Sequence, residues 1–110
     1  MFVTTIEQLG LTEKESKVYL TSLRVGPVSM QVLARKAGID RGTAYHVAQT
    51  LTDKGLFEVV EEGKRPLFRV SHPRKLYGYV EEKKKQAEAH FVAMQEMVDA
   101  LEELYSLSQT

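Results

Sequence analysis

The sequence predicts a mainly α fold with one small β-hairpin and a long C-terminal helix. Three observations carry that expectation. Residues 12–54 fall into three short helical patterns, each opened by a capping residue and closed by glycine. Residues 56–70 read as two β-rich runs around a polar, glycine-containing turn. After Gly78 neither glycine nor proline interrupts the remaining chain.

Thr12-Glu13-Lys14-Glu15 has the form of a capping box, in which the Thr12 hydroxyl and the Glu15 carboxylate each satisfy a backbone N–H at a helix start. Leu11 stands where it can staple onto the helix, and Val18, Tyr19, Leu20 and Leu23 follow as its apolar positions. Gly26-Pro27 stops it, so the first helix is expected over about 12–25. Ser29 caps a second helix, 29–37, with Met30, Val32, Leu33 and Ala37 inward and Gly38 as its stop. Asp40 caps a third, 41–54, with Ala44, Val47, Ala48 and Leu51 inward. Lys54-Gly55 ends it with a cation in the last turn and a residue free to turn left-handed.

Leu56–Val60 favours strand, Glu61–Arg65 a turn, and Pro66–Val70 a second strand with proline at its first position, where the missing donor costs least. Ser71-His72-Pro73 then launches a helix that can run to about residue 107, roughly 50 Å at 1.5 Å per residue. The expected division is residues 1–72 as one domain and 73–110 as a long helix.

Composition excludes several classes. The 110 residues suit one core, and 43% apolar content is too high for a disordered chain. Charges break every apolar run before about 20 residues, so no membrane span is expected. There is no signal-peptide pattern and no cysteine, which together point to the cytoplasm. His46, His72 and His90 share no ligand spacing, so no metal site is expected. No nucleophile triad, phosphate loop or carboxylate pair stands out, so neither an enzyme nor a cofactor is expected.

Net charge is zero, but it is unevenly spread. Residues 1–75 carry 12 basic and 8 acidic residues; residues 76–110 carry 3 and 7. In the long helix, apolar residues step alternately by three and four. Phe91, Val98 and Tyr105 occupy one heptad core position and Ala87, Met94 and Leu101 the other. Met97 and Leu104 widen the stripe, and Lys84 breaks it upstream. A two-stranded coiled coil between two copies, beginning near residue 87, is the expectation. A helix folded back on its own domain, or docked on a further C-terminal domain, is the alternative.

Three helices followed by a hairpin is the winged helix-turn-helix order, with Gly38 in the link between the second and third helices. In such units the N-terminal part of the later helix enters the DNA major groove. Here that part offers Arg41, Gly42, Thr43, Tyr45, His46 and Gln49. Arginine can read guanine bidentately, glutamine can read adenine, and Gly42 permits close approach. Lys64 and Arg65 at the hairpin tip suit phosphate or minor-groove contact, although Glu61 and Glu62 oppose it. Ser29, Gln31, Arg35 and Lys36 are further phosphate candidates. Each also has a plainer reading: Tyr45 packed on the domain, His46 as a surface residue, Lys64-Arg65 as a solvated turn.

The stretches LGLTEKESKVYLTSLRVGPVSMQVLARKAGIDRGTAYHVAQTLTDKGLFEVV and EEGKRPLFRVSHPRKLYGYVEEKKK resemble the DNA-binding domain of TrmB-like transcriptional regulators of archaea and some bacteria. The resemblance covers about residues 8–86. It implies a dimeric transcription factor that binds double-stranded DNA, with Arg41, Thr43, Tyr45 and His46 at recognition-helix positions and Lys64 and Arg65 in the wing. Many members add a C-terminal domain that binds sugars. These 110 residues contain no such segment, so a stand-alone short member and the N-terminal part of a longer regulator both fit, and no effector is specified. The leading expectation is a homodimeric DNA-binding repressor. The competing one is a winged-helix protein-docking module, for which the cations at 35, 36, 41, 64 and 65 would be dispensable.

Overall fold

The computed structural model describes residues 2–109 and, within its helices and strands, all side chains except those of Phe2, Val3 and Glu62. The element order is α1 (Phe2–Gln8), α2 (Glu13–Val25), α3 (Met30–Ala37), α4 (Arg41–Asp53), β1 (Phe57–Glu62), β2 (Arg65–Val70) and α5 (Lys75–Ser108). One compact unit ends at Tyr79 and the second begins at Val80.

The helix starts are set by the expected caps. The Glu15 N–H donates to Thr12 Oγ1 at 3.1 Å, and the Thr12 N–H donates to Glu15 Oε1 at 2.9 Å, a complete capping box. Ser29 Oγ accepts from the Val32 N–H, and an Asp40 carboxylate oxygen accepts from the Thr43 N–H. The stops are equally local. The Ile39 N–H reaches the Ala34 carbonyl and the Gly38 N–H reaches that of Arg35, a Schellman closure that puts Gly38 at φ +70°. The end of α4 closes the same way, with Leu56 N–H on Leu51 and Gly55 N–H on Thr52.

The core of the first unit draws on every one of its helices. Ile6, Leu11, Val18, Tyr19, Leu20, Met30, Leu33, Ala34 and Ala37 are buried with Ala44, Val47, Ala48, Leu51, Leu56 and Phe57. Burying each large aliphatic side chain contributes about 1.5–3 kcal/mol. Of the apolar positions of α2, Val18, Tyr19 and Leu20 are buried and Leu23 is exposed. Val32 is only half-buried. Tyr79 enters the core and Leu76 packs against it, so the first turns of α5 belong to this unit.

Two expectations are corrected at the hairpin. The strands run further than the sequence suggested, pairing Phe57 with Val70 through Glu62 with Arg65 and leaving only Gly63-Lys64 as the loop. Gly63 has φ +66° and Lys64 does not share it, the signs of a type II′ turn. Its twist matches that of the strands, so pairing continues up to the turn. Pro66 is therefore second in β2, opposite Glu61. A stub of third strand is added where Val28 and Phe68 exchange backbone bonds of 3.2 and 2.7 Å.

Helix α1 was not anticipated from sequence, since seven residues carry little periodic signal; it contributes Ile6 to the core. Helix α5 begins at Lys75, after a turn at Pro73-Arg74, slightly later than expected. From Val80 to Gln109 every residue is exposed except the half-buried Val98. The seam residues Ala87, Phe91, Met94, Leu101, Leu104 and Tyr105 are thus open along the second unit, with Phe91 at 57% and Tyr105 at 67% exposure.

Candidate functional site

The first turns of α4 stand between two clefts. The smaller, about 300 Å³, is lined by Ser29, Met30, Gln31, Arg41, Tyr45, Arg65, Pro66 and Phe68. It brings together the start of α3, the start of α4 and the base of the hairpin. The larger, about 950 Å³, lies against α2 and is lined in part by Thr12, Lys14, Glu15, Asp40, Gly42, Thr43, His46 and Lys54.

The candidate residues from sequence divide accordingly. Ser29, Gln31, Arg41, Tyr45 and Arg65 converge on the first cleft. Gly42, Thr43 and His46 line the second. Arg35, Lys36, Gln49 and Lys64 are exposed and line neither. The charges at 41 and 65, 24 residues apart in sequence, are therefore neighbours in space.

Arg41 and Tyr45 are one helical turn apart, and the guanidinium lies over the Tyr45 ring, 5.7 Å from its centroid. Tyr45 in turn meets Phe68 edge-to-face, with centroids 6.1 Å apart and planes at 88°. Tyr45 therefore does both things the sequence left open: it packs on the domain and remains 44% exposed. Phe68 is the residue that sequence reasoning missed. Its strand was recognised, but nothing local marks which face of β2 meets α4.

Polar groups on α4 are partly engaged within the helix. The Asp40 carboxylate accepts from the Thr43 N–H and hydroxyl, and these bonds hold its carboxyl below the usual carboxylate range. A Cβ at Gly42 would lie 3.3 Å from Asp40 Oδ2, so glycine here makes room for the cap. Gln49 Nε2 donates to Asp53 Oδ1 at 2.9 Å. At the hairpin, Arg69 is paired with Glu58 across the strands at 2.7 Å, while Lys64 and Arg65 are exposed at its tip.

Behind α4, Glu15 accepts from Thr50 Oγ1 at 2.7 Å and from Lys54 Nζ at 2.8 Å while keeping its capping role. Burial alone would raise its carboxyl pKa. Hydrogen bonds from Lys54, Thr12 and Thr50, with the Lys54 charge, more than offset this and hold it below the ordinary value. Burial also pushes the Tyr19 phenol up. Among the described residues no cluster of three metal-ligating side chains occurs, and no helix is long and apolar enough to cross a membrane.

A short α3–turn–α4 pair whose exposed second helix adjoins a hairpin with cationic residues at its tip is a winged helix-turn-helix, and residues 6–83 match the family described as sugar-specific transcriptional regulator TrmB. The chain belongs to the TrmB family. That family consists of transcriptional regulators rather than enzymes.

The chain is 34% identical over 55 residues to TrmBL1 of Pyrococcus furiosus, a sugar-sensing transcriptional regulator, covering 50% of this chain and 16% of that protein. It is 31% identical over 87 residues to YrhO of Bacillus subtilis, covering 78% of this chain and 30% of that one. The chain thus spans less than a third of the length of either relative. Among solved structures, TrmBL2, an archaeal chromatin protein with a novel mode of DNA binding, superposes with TM-score 0.76 at 19% identity, over 96% of this chain and 41% of that one. NadR, solved with 4-hydroxyphenylacetate, gives TM-score 0.58 at 19% identity, over 99% and 82%. These structural likenesses support the fold.

Proposed function

We propose that this TrmB-family chain is a sequence-specific DNA-binding regulator that acts as a homodimer in the cytoplasm. One observation carries the reading: Arg41 at the start of α4, Arg65 of the wing, and Ser29 and Gln31 at the start of α3 surround one cleft. That is the set of groups a winged helix needs to place its later helix in a major groove while holding the flanking backbone. Arg41 reads a guanine edge, and Thr43, His46 and Gln49 complete the base-facing surface of α4. Tyr45 belongs to the same surface, and Gly42 keeps its backbone close to the groove. Lys64 and Arg65 hold flanking phosphate, and Arg35 and Lys36 add to the positive field.

The exposed seam of α5 pairs with that of a second copy, through Phe91, Val98 and Tyr105 at one heptad position and Ala87, Met94 and Leu101 at the other, with Leu104 alongside. Two recognition helices then address half-sites about 34 Å apart or a multiple of that. Repression by occluding polymerase is the action we assign.

The test is fluorescence anisotropy of the purified chain with random 30-base-pair duplexes across a salt series. The expected result is a linear fall of log affinity with log salt, with a slope corresponding to several phosphates per dimer. Absence of binding at low salt would reject the reading.

A further inference from the structure

The stack Arg41–Tyr45–Phe68 joins α4 to the hairpin, two elements that a DNA reader must hold in fixed relation. Phe68 is the anchored end. Its backbone is bonded in both directions to Val28, next to the α3 cap Ser29, and its half-buried ring packs against the core. Tyr45 stands edge-on to that ring and carries the Arg41 guanidinium on its own. The stack forms one wall of the cleft that also holds Arg65 and Gln31.

Building on the DNA-binding reading, we propose that Tyr45 is a positioning residue. It fixes the Arg41 guanidinium before DNA arrives and couples the wing to α4, rather than reading a base itself. Two physical reasons support this. An unrestrained arginine loses rotamer freedom when it binds, and a side chain already held over a ring has lost part of it beforehand. The wing is a two-stranded hairpin, marginal by itself, so a ring contact to α4 adds to the Val28 bridge in fixing its angle. The work belongs to the Tyr45 ring, which makes both contacts of the stack, one with Phe68 and one with the Arg41 guanidinium.

The experiment uses the full chain. A preferred duplex is first selected from a random pool by the wild-type protein. Anisotropy then compares wild type, Tyr45→Phe, Tyr45→Ala, Arg41→Ala and the double variant Arg41→Ala/Tyr45→Ala on that duplex and on a scrambled one, with thermal melts alongside. Tyr45→Phe, which keeps the ring, should lose much less than Tyr45→Ala. Tyr45→Ala should lose about tenfold on the selected duplex and much less on the scrambled one. Its melting midpoint should stay near wild type, because the side chain is 44% exposed. The double variant should lose less than the sum of the two single losses, since Tyr45 acts in part through Arg41.

Loss in Tyr45→Phe equal to that in Tyr45→Ala would assign the role to the hydroxyl and overturn the proposal. So would additive losses in the double variant, or Tyr45→Ala binding like wild type. Wild-type protein that binds no duplex overturns the DNA-binding reading, and this inference with it; the other three outcomes overturn this inference alone.

Discussion

Lys54 Nζ lies 2.8 Å from both carboxylate oxygens of Glu15, tying the end of α4 to the first turn of α2 across 39 residues of sequence. The same carboxylate caps α2 and accepts the Thr50 hydroxyl, so one side chain fixes both the start of α2 and the back of α4. The Glu15 side chain is 5% exposed and that of Lys54 29%. Glu15→Gln keeps the shape but removes the charge that Lys54 faces. It should destabilise the protein by about 1–3 kcal/mol, read as a lower urea midpoint at unchanged slope. A midpoint equal to wild type would mean that the pair contributes nothing net.

The pair also fixes a pH dependence. The Glu15 carboxyl in the folded chain titrates below its ordinary value of 4.5. A depressed carboxylate stabilises the fold above the unfolded-state pKa, and that contribution is lost as pH falls through the folded-state value. Thermal melts should therefore show the gap between wild type and Glu15→Gln fully open at neutral pH and closing below about pH 4.5. A gap independent of pH would show that the Glu15 charge is not its cause.

Arg41→Ala should weaken binding to a selected operator by about 1–3 kcal/mol and relax preference at one base position. Anisotropy against single-base operator variants reads both effects. Equal loss on operator and random DNA would make Arg41 a phosphate contact instead.

Lys64→Ala should weaken all duplexes alike and lower the slope of log affinity against log salt by about one. Lys64 occupies the two-residue hairpin loop opposite no partner strand position, so its loss leaves the β1–β2 register intact. An unchanged slope would take the wing tip out of the phosphate contacts.

Phe91→Asp combined with Leu101→Asp places two charges on the open face of α5 without touching the core that ends at Tyr79. Sedimentation equilibrium should change from dimer to monomer, because an aspartate at a heptad core position faces its own copy across the seam. A dimer that persists would move self-association away from this helix.

The helices α2, α3 and α4 were legible in the sequence almost to the residue, because their signals act over three or four positions. Thr12 with Glu15, Ser29 with Val32 and Asp40 with Thr43 are all i, i+3 pairs, and the glycine stops at 38 and 55 close over five residues. The inward faces of α3 and α4 followed from periodicity, with Leu33, Ala44, Val47, Ala48 and Leu51 all buried. The hairpin was legible as a hairpin but not in length. Glu61, Glu62 and Arg65 look like turn residues by composition, whereas the type II′ geometry at Gly63 lets them pair. Helix α1 escaped notice because two turns are too few for a period to register.

The sequence by itself determined the order of elements from α2 onward, their caps and stops, and the family to which the chain belongs, since each of these is written in residues that act on near neighbours. Only the tertiary structure decided which residues meet: Glu15 with Lys54, Val28 with Phe68, Tyr45 with Phe68, and Arg41 with Arg65 around one cleft. Those pairs are 23 to 40 residues apart, and no local propensity selects among the many partners such a distance allows. The selection is made by burial of the shared core, which sets where α4 lies against α2 and the hairpin, and the side chains on their surfaces meet as a consequence.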